Sequence, residues 1–366
     1  MIIKKIRLNN FRCFKDAVFD FNNRFVVIEG KNGSGKTSIL EGIYYSCYLR
    51  SFRTRLQKEL VHFEQNHFFL KTDFEQSDGA TNQIQVGFSQ DDGKLVKLNQ
   101  KQVQSYKQVI DLYRIISIAE DDLLLISGPP EHRRAFLDQS LFLTNPDFVA
   151  QVRQYKKVLD QRKSFIFTYA KVPFTDALKQ ELHAWVKQHW QASIVLQKAR
   201  VAILKELEKR VNVLLKEHFF PELSIKLEYV AKNVNLRQTF DQFWKSYQTD
   251  LLAKECKLMR CLFGFHIDDV SITFKKKKAK FYASRGQQKL ILLLLKLAQL
   301  AHLQQDGVKG CLLLDDFLTD FDEGIVEKAL MLLKRLDCQV FVTCPIQSFL
   351  VPKISDCSSF DVLHLD

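Results

Sequence analysis

Gly30-Lys31-Asn32-Gly33-Ser34-Gly35-Lys36-Thr37 decides the fold, because it matches the phosphate-binding pattern G-x-x-x-x-G-K-[ST]. An apolar run at 25–28 precedes this loop and a helical pattern at 38–49 follows it. Glycine permits backbone conformations in which successive N–H groups face a phosphate, and the following helix adds the positive end of its dipole. The pattern predicts ATP contacts at Gly30, Lys31, Asn32, Gly33, Ser34, Gly35, Lys36, Thr37 and Ser38. Lys36 would neutralise the β- and γ-phosphates, and Thr37 would bind Mg²⁺.

Two acidic residues, Asp315 and Asp316, stand directly after the apolar run 311–314. Folds with a phosphate-binding loop place the carboxylate that binds Mg²⁺ at the end of such a strand. We therefore expect Asp315 to hold Mg²⁺, directly or through water, and Asp316 to polarise the attacking water. With Lys36, these carboxylates are the predicted catalytic residues.

The C-terminal part of the chain alternates helices with apolar strands. Helices are predicted at 287–303 and 324–336, and strands at 311–314 and 339–343. This alternation predicts a parallel sheet. Short segments between 68 and 118, separated by turn signals, predict a β-rich stretch. The fold class is therefore α/β, with a mixed sheet in the head that carries the phosphate-binding loop.

The middle of the chain has few glycines and a helical spacing of apolar residues. Two helices are predicted, at 147–169 and at 176–215, and Thr175 and Asp176 are suited to cap the second. We predict a composite head from residues 1–140 and 255–366, with an inserted helical arm at 141–254. A helical subdomain packed on the core is the alternative, and the length of the second helix favours the arm.

The charge balance favours a polyanionic partner. Lys and Arg number 54 against 42 Asp and Glu, which gives a net charge of +12. Nucleic acid and an acidic membrane surface both fit this surplus, which is also compatible with a role in solubility alone. The basic residues predicted to contact DNA are Arg53, Arg55, Lys275, Lys276, Lys277, Lys278 and Lys280. For the lysine run, a solvated hairpin turn is an equally good interpretation.

Targeting and redox signals are weak. The eight cysteines are scattered without a C-x-x-C pair, so a zinc ribbon is not expected. The N-terminal residues lack the apolar core of a signal peptide, and no apolar run reaches the length of a membrane helix. The expectation is a cytoplasmic protein with reduced thiols and no membrane partner.

A third motif, Ser284-Arg285-Gly286-Gln287-Gln288, precedes the helix that leads to Asp315. It resembles the signature sequence of ATP-binding-cassette proteins, and a polar helix start is the alternative. The whole set resembles the RecF family, ATP-binding-cassette relatives of the SMC proteins. The further motifs that carry this resemblance lie at 8–12, 40–43, 50–54, 120–123, 133–138 and 264–269. Arg285 stands where the family usually has Gln.

The resemblance implies a clamp in which two copies of the chain close around ATP. Ser284, Gly286, Gln287 and Gln288 would then contact ATP bound to the opposite copy. Arg12 would touch the nucleotide, Thr343 would sense the γ-phosphate, and Asp322 would lie near the facing nucleotide. The resemblance also implies slow, DNA-stimulated ATP hydrolysis and action at gapped or junction DNA with RecO and RecR, to load RecA.

Two other functions remain open from the sequence. The ATP-binding subunit of a transporter would share the three motifs, but the basic charge and the helical arm argue against it. A nucleotide-dependent scaffold with little hydrolysis is compatible with Asp316, which stands where many cassette proteins have Glu.

Overall fold

The computed structural model describes residues 2–76, 79–304, 310–318, 321–346 and 360–365. Its strands are β1 (Ile2–Phe11), β2 (Phe14–Asp20), β3 (Phe25–Gly30), β4 (His67–Glu75), β5 (Thr81–Ser89), β6 (Gly93–Leu98), β7 (Lys101–Gln102), β8 (Arg114–Ile118), β9 (Ile225–Val230), β10 (Asp269–Phe274), β11 (Lys277–Lys278), β12 (Gly310–Leu314), β13 (Gln339–Cys344) and β14 (Phe360–Leu365). Its α-helices are α1 (Lys36–Tyr48), α2 (Lys107–Ile110), α3 (Leu124–Ser127), α4 (Pro130–Thr144), α5 (Phe148–Tyr169), α6 (Asp176–His218), α7 (Phe240–Ser246), α8 (Leu252–Leu258), α9 (Ala279–Tyr282), α10 (Arg285–Leu303) and α11 (Glu323–Lys334). Short 3-10 helices lie at Gln57–Leu60 and Glu120–Leu123, and a π-helical turn at Tyr247–Leu251.

The chain forms two compact units. The first comprises Met1–Leu123, Leu214–Pro221 and Ser284–Asp366, and the second comprises Leu124–Val213 and Glu222–Ala283. None of the helices in the described ranges is long and apolar enough to cross a membrane.

A parallel sheet forms the centre of the first unit. Its strand order is β14-β3-β13-β12-β8, and every neighbouring pair is parallel. All residues of β3, β12 and β13 are buried, as expected for central strands of such a sheet. The prediction of a parallel sheet in an α/β fold is confirmed.

An antiparallel sheet, in the order β2-β1-β4-β5-β6-β7, accounts for the β-rich stretch that the sequence predicts. Buried and partly exposed residues alternate along β4, so one face of this sheet packs inward. Helix α1 contacts strands of both sheets. Gly42 permits the close approach, because a Cβ atom there would lie 2.7 Å from Leu8 Cδ2.

The second unit contains α5 and α6 up to Val213, the two predicted long helices, joined by a short connection. The Leu178 N–H donates to Thr175 Oγ1 over 3.3 Å, so Thr175 caps α6 as expected. At 43 residues, α6 is about 65 Å long. The α5–α6 hairpin packs against later residues of the same unit, because Phe165, Leu182 and Val186 share a buried core with residues between 234 and 263. An antiparallel sheet, β11-β10-β9, completes the unit.

The unit boundaries lie at 123/124 and 283/284, whereas the sequence predicts 140/141 and 254/255. The difference has a physical basis in the contacts of α4. The buried Arg133 side chain forms an ion pair with Asp269, with Nε to Oδ1 at 2.7 Å. Arg134 donates to the Asp268 carbonyl over 2.8 Å. Helix α4 is therefore held to the start of β10 within the second unit.

Candidate nucleotide-binding site

The phosphate-binding loop connects β3, which ends at Gly30, to α1, which begins at Lys36. Its backbone requires glycine. Gly33 and Gly35 have φ angles of 88° and 103°, in the left-handed region. A Cβ atom at Gly35 would lie 2.5 Å from the Phe14 ring, and one at Gly30 would lie 2.5 Å from Ser34 Oγ. Because Gly35 is the left-handed residue that precedes the helix, α1 starts two residues before the predicted position.

The Lys36 side chain folds back against the phosphate-binding loop. Its side chain is buried, and Nζ donates to the carbonyl oxygens of Gly30 and Lys31 at 2.8 and 3.1 Å. Within the described part of the chain, the buried Ser34 Oγ has no hydrogen-bond partner. The Lys36 ammonium thus donates to two neutral carbonyls, and the Ser34 hydroxyl is unpaired among the described residues. A bound phosphate can form hydrogen bonds with both groups.

Two strand ends bring the acidic residues to the loop. Parallel pairing of β12 with β13 places Asp315 and Asp316 beside Thr343. Thr37 Oγ1 and Thr343 Oγ1 both donate to Asp315 Oδ1, at 2.9 and 3.0 Å. The Asp316 N–H donates to Thr343 Oγ1 over 2.7 Å. Burial raises the pKa of Asp315, and the hydrogen bonds from the two threonines oppose that shift.

A cleft of about 440 Å³ opens at the loop, within the usual size range of small-molecule sites. Its lining residues are Arg12, Cys13, Asn32, Gly33, Gly35, Lys36, Thr37, Ser38, Arg53, Glu59, Val61 and Asp316. Asp316 therefore reaches the cleft directly, whereas Asp315 contacts it through Thr37. The predicted sensor Thr343 is fully buried, and its hydroxyl is engaged with both aspartates. Arg53, which the sequence predicts as a DNA contact, lies on the wall of this cleft.

Sequence reasoning did not identify Glu41 as a site residue. Glu41 is fully buried in α1, and its carboxylate accepts from Arg12 Nε and Nη2 at 2.7 and 2.8 Å. Arg12 Nη1 also donates to the Glu59 carbonyl at 2.7 Å, and the Ser51 hydroxyl donates to Glu41. The Ser51 Oγ in turn accepts from the Arg53 N–H at 2.8 Å. The available signal was that Glu41 is the one charged residue in the predicted helix 38–49, since a buried charge needs a partner.

The donor set fits Mg²⁺ and ATP. Thr37, Asp315 and Asp316 offer hard oxygen atoms, which Mg²⁺ prefers. No cluster of three or more His, Cys, Asp or Glu side chains suited to a metal occurs in the described ranges. Proteins commonly hold Mg²⁺ through only one or two side chains, with phosphate and water completing its shell.

The residues of the predicted signature motif form the start of α10. Ser284 is exposed, and its Oγ accepts from the Gln287 N–H at 3.3 Å while Gln287 Oε1 accepts from the Ser284 N–H at 3.2 Å. This capping box is the polar helix start of the alternative interpretation. A Cβ atom at Gly286 would meet no atom within 4 Å, so the helix start is open. Arg285 pairs with Glu120. Asp322 caps α11, accepting from the Ile325 N–H at 3.0 Å.

The lysine run lies in the second unit. Lys275 and Lys276 occupy the turn between β10 and β11, so the run forms a hairpin turn. Lys277, Lys278 and Lys280 follow, and all five side chains are exposed. Arg55, in the first unit, is exposed as well.

This chain resembles proteins of one family group in both sequence and fold. The family model described as RecF/RecN/SMC N terminal domain matches residues 2–355. DNA replication and repair protein RecF of Desulforamulus reducens is 32% identical over 333 residues, which cover 88% of this chain and 87% of that protein. RecF of Chloroherpeton thalassium is 28% identical over 357 residues, which cover 94% of each chain.

Two solved structures show the same fold. The recombination mediator protein RecF bound to ATP, of the RecFOR pathway, has a TM-score of 0.79 at 24% identity, covering 95% of this chain and 92% of that chain. The Smc head domain of Pyrococcus furiosus has a TM-score of 0.57 at 15% identity, covering 100% of this chain and 94% of that chain. The present chain therefore belongs to the RecF family, within the RecF/RecN/SMC group.

Proposed function

We propose that this chain is an ATP-dependent DNA-binding protein of replication and recombinational repair. In this proposal two copies close around ATP and hold gapped or junction DNA until slow hydrolysis releases them. The observation that carries the proposal is the arrangement of Thr37, Asp315 and Asp316 beside Lys36 at a glycine-dependent loop. Membership of the RecF family supports DNA, rather than a membrane transporter, as the partner.

The residues of the cleft have distinct roles in the proposed reaction. Lys36 would exchange the carbonyls of Gly30 and Lys31 for the β- and γ-phosphates. Thr37 and Asp315 would hold Mg²⁺, and bound Mg²⁺-ATP supplies the phosphoanhydride bond that water cleaves. Asp316, which lines the cleft, would orient and polarise that water.

Hydrolysis is expected to be slow for a structural reason. The Asp316 N–H donates to Thr343 Oγ1, and the residue has a φ angle of 46°, so the backbone that carries this carboxylate is held in place. Asp is one methylene shorter than Glu and therefore reaches less far into the cleft. The same observation favours, as a second candidate, a nucleotide-dependent scaffold that hydrolyses little ATP.

The remaining parts of the proposal concern association. The open helix start at Ser284 and Gly286 is suited to contact a γ-phosphate bound to a second copy. The exposed lysine run at 275–278 and Arg55 are candidate DNA contacts. RecO and RecR are the proposed partners, with RecA as the protein to be loaded, because a structural relative is described as a mediator in the RecFOR pathway.

Mixing two inactive variants tests the shared site. In a mixed dimer of Lys36→Ala and Ser284→Ala, one composite site carries two defects and the other carries none. Random pairing makes about half of the dimers mixed, so the mixture should regain up to about a quarter of the wild-type ATPase rate. If the mixture stays as inactive as either variant alone, Ser284 does not act across a dimer.

A matched control separates catalysis from helix capping. Ser284→Ala also removes a cap, which costs about 1 kcal/mol of stability. Thr239 forms the same capping box at α7, where Thr239 Oγ1 accepts from the Gln242 N–H. Thr239→Ala should lower stability by a similar amount and leave the ATPase rate unchanged. Equal loss of ATPase in both variants would assign the Ser284 effect to folding.

A further inference from the structure

Two consecutive aromatic side chains are exposed at the end of α9. Phe281 is 69% exposed and Tyr282 is 67% exposed. Aromatic side chains bring a large apolar area to a core, so most are buried at least in part. Packing within the fold therefore does not account for two neighbouring exposed rings, and such exposed apolar surface often marks a binding site.

The same segment carries positive charge without a counter-charge. Lys275, Lys276, Lys277, Lys278 and Lys280 are all exposed. No Asp or Glu in the described ranges lies within ion-pair distance of these five ammonium groups, whereas basic residues such as Lys4 and Arg7 do have such partners. Lys277 Nζ lies 5.2 Å from the centre of the Tyr282 ring, and Lys280 Nζ lies 5.7 Å from that of Phe281.

The backbone of this hairpin turn has a conformation that lysine does not favour, so the two lysines add positive charge at a cost in stability. Phe274 pairs with Lys277, which leaves Lys275 and Lys276 as the two central residues of the hairpin. Their φ angles are 50° and 63°, in the left-handed region. Asn and Gly favour such a turn, and lysine adopts it at a cost. Lysine at both positions is therefore explained better by a ligand than by the fold.

We propose that Lys275–Lys278, Lys280, Phe281 and Tyr282, here called the aromatic–lysine patch, bind single-stranded DNA. The rings stack on unpaired bases and the ammonium groups contact the phosphates between them. A duplex is disfavoured as the ligand because its base faces are already stacked. The inference rests on the proposed function and deepens it, since it assigns the single-stranded side of a gap or junction to this patch.

Removing the rings tests the stacking. Affinity for a fluorescent oligo-dT strand and for a duplex of equal length is measured by anisotropy, in wild type and in Phe281→Ala/Tyr282→Ala. Each lost ring should weaken binding of the single strand by about fivefold or more and leave the duplex unaffected. Phe281→Tyr/Tyr282→Phe, which keeps both rings, should bind as wild type. Phe167→Ala is the matched control, because Phe167 on α5 is 73% exposed.

Removing the charge without harming the turn tests the lysines. Lys275→Asn/Lys276→Gly introduces the pair that favours this hairpin, so the fold should be retained. The slope of log affinity for the single strand against log salt should become shallower by about 1.4, from two lost phosphate contacts. An unchanged slope would show that the turn does not touch DNA.

Three other outcomes would overturn the proposal in distinguishable ways. If wild type binds the single strand and the ring variant binds it equally well, only the stacking site is wrong. If the ring variant loses ATP-dependent dimerisation and keeps its affinity for DNA, the patch is a contact between copies of the chain. If wild type binds no DNA with or without ATP, both the patch and the proposed function fail.

Discussion

Glu41 should organise one wall of the nucleotide cleft, and Glu41→Gln is the change that tests this. The buried carboxylate holds Arg12 through two hydrogen bonds, at 2.7 and 2.8 Å. Through Ser51 it also fixes the backbone N–H of Arg53. Both arginines line the cleft. The Lys36 ammonium donates instead to the carbonyls of Gly30 and Lys31. Glu41 is therefore a positioning residue rather than a catalytic one.

The size of the effect follows from burial. Removing one partner of a buried ion pair costs about 3 to 5 kcal/mol, because the other charge is left uncompensated. The Glu41 side chain is fully buried, but that of Arg12 is 20% exposed, so water can compensate part of the loss. We expect Glu41→Gln to lower the free energy of unfolding by about 2 to 3 kcal/mol. Arg12→Gln in the Glu41→Gln background should add little, because the two side chains form one unit.

Urea unfolding and titration with a fluorescent ATP analogue separate the two consequences. Glu41→Gln should bind the analogue about tenfold more weakly, which corresponds to about 1.4 kcal/mol. Asp16→Asn is the matched control, since Arg7 and Asp16 form a similar two-bond pair on the exposed face of β1. It should change stability much less and leave nucleotide affinity unchanged. A Glu41→Gln protein that is less stable but binds the analogue normally would refute the positioning role.

Three further predictions concern the loop, the cleft and the second unit. Gly35→Ala should abolish nucleotide binding in the same titration, because its Cβ would meet the Phe14 ring at 2.5 Å, whereas Gly87→Ala, where the space is open, should bind normally. ATP with Mg²⁺ should slow alkylation of Cys13, which is exposed and lines the cleft; an unchanged rate, followed by mass spectrometry of its peptide, would place the nucleotide elsewhere. Burial lowers the pKa of His266 from its usual 6.5 to about 4. Between these two pH values the folded state therefore binds fewer protons than the unfolded state. His266 should contribute roughly 2 to 3 kcal/mol to the fall in the free energy of unfolding between pH 6.5 and 4, and His266→Gln should remove that part of the pH dependence in urea titrations.

The phosphate-binding loop and the parallel sheet were predictable because their signals are local. The loop pattern specifies its own backbone, and buried parallel strands appear as apolar runs such as 311–314. The meeting of Thr37 with Asp315 follows from the same logic. The loop after β3 leads to Thr37 and the end of β12 leads to Asp315, and both strands are parallel members of one sheet that end at the same edge. Strand β14 was not predicted, because its residues are mostly only partly buried and its six-residue pattern is weak.

Contacts between distant segments were not accessible to sequence reasoning. The Arg162 side chain is fully buried and pairs with Glu255, which is also bound by the Tyr247 hydroxyl at 2.8 Å. Arg162 also donates to Tyr247 over 3.1 Å. Nothing in the local pattern of α5 distinguishes this arginine from its solvated neighbours. Such pairs give the inserted segment its own core, and they explain why the unit boundaries differ from those predicted.

The position of Arg53 shows the same limit at the site. A basic residue after the first helix is compatible with a DNA contact. Contacts that the sequence does not reveal, such as the hydrogen bonds of Ser51 with Glu41 and with the Arg53 N–H, hold this segment at the cleft. The lysine run illustrates the opposite case. The structure shows the hairpin turn at these lysines, and their role in binding DNA stays a prediction. The left-handed backbone of Lys275 and Lys276 adds information that the residue types alone did not carry.

The sedimentation mass of the wild-type chain tests the central claim, ATP-gated association on DNA, most directly. It is measured with and without ATP and Mg²⁺, alone and with a gapped duplex. The account predicts a monomer without nucleotide, a dimer with ATP, and a stronger shift to the dimer when the gapped duplex is present. A chain that binds ATP but remains a monomer under all four conditions would contradict the clamp and favour an ATPase that acts without self-association.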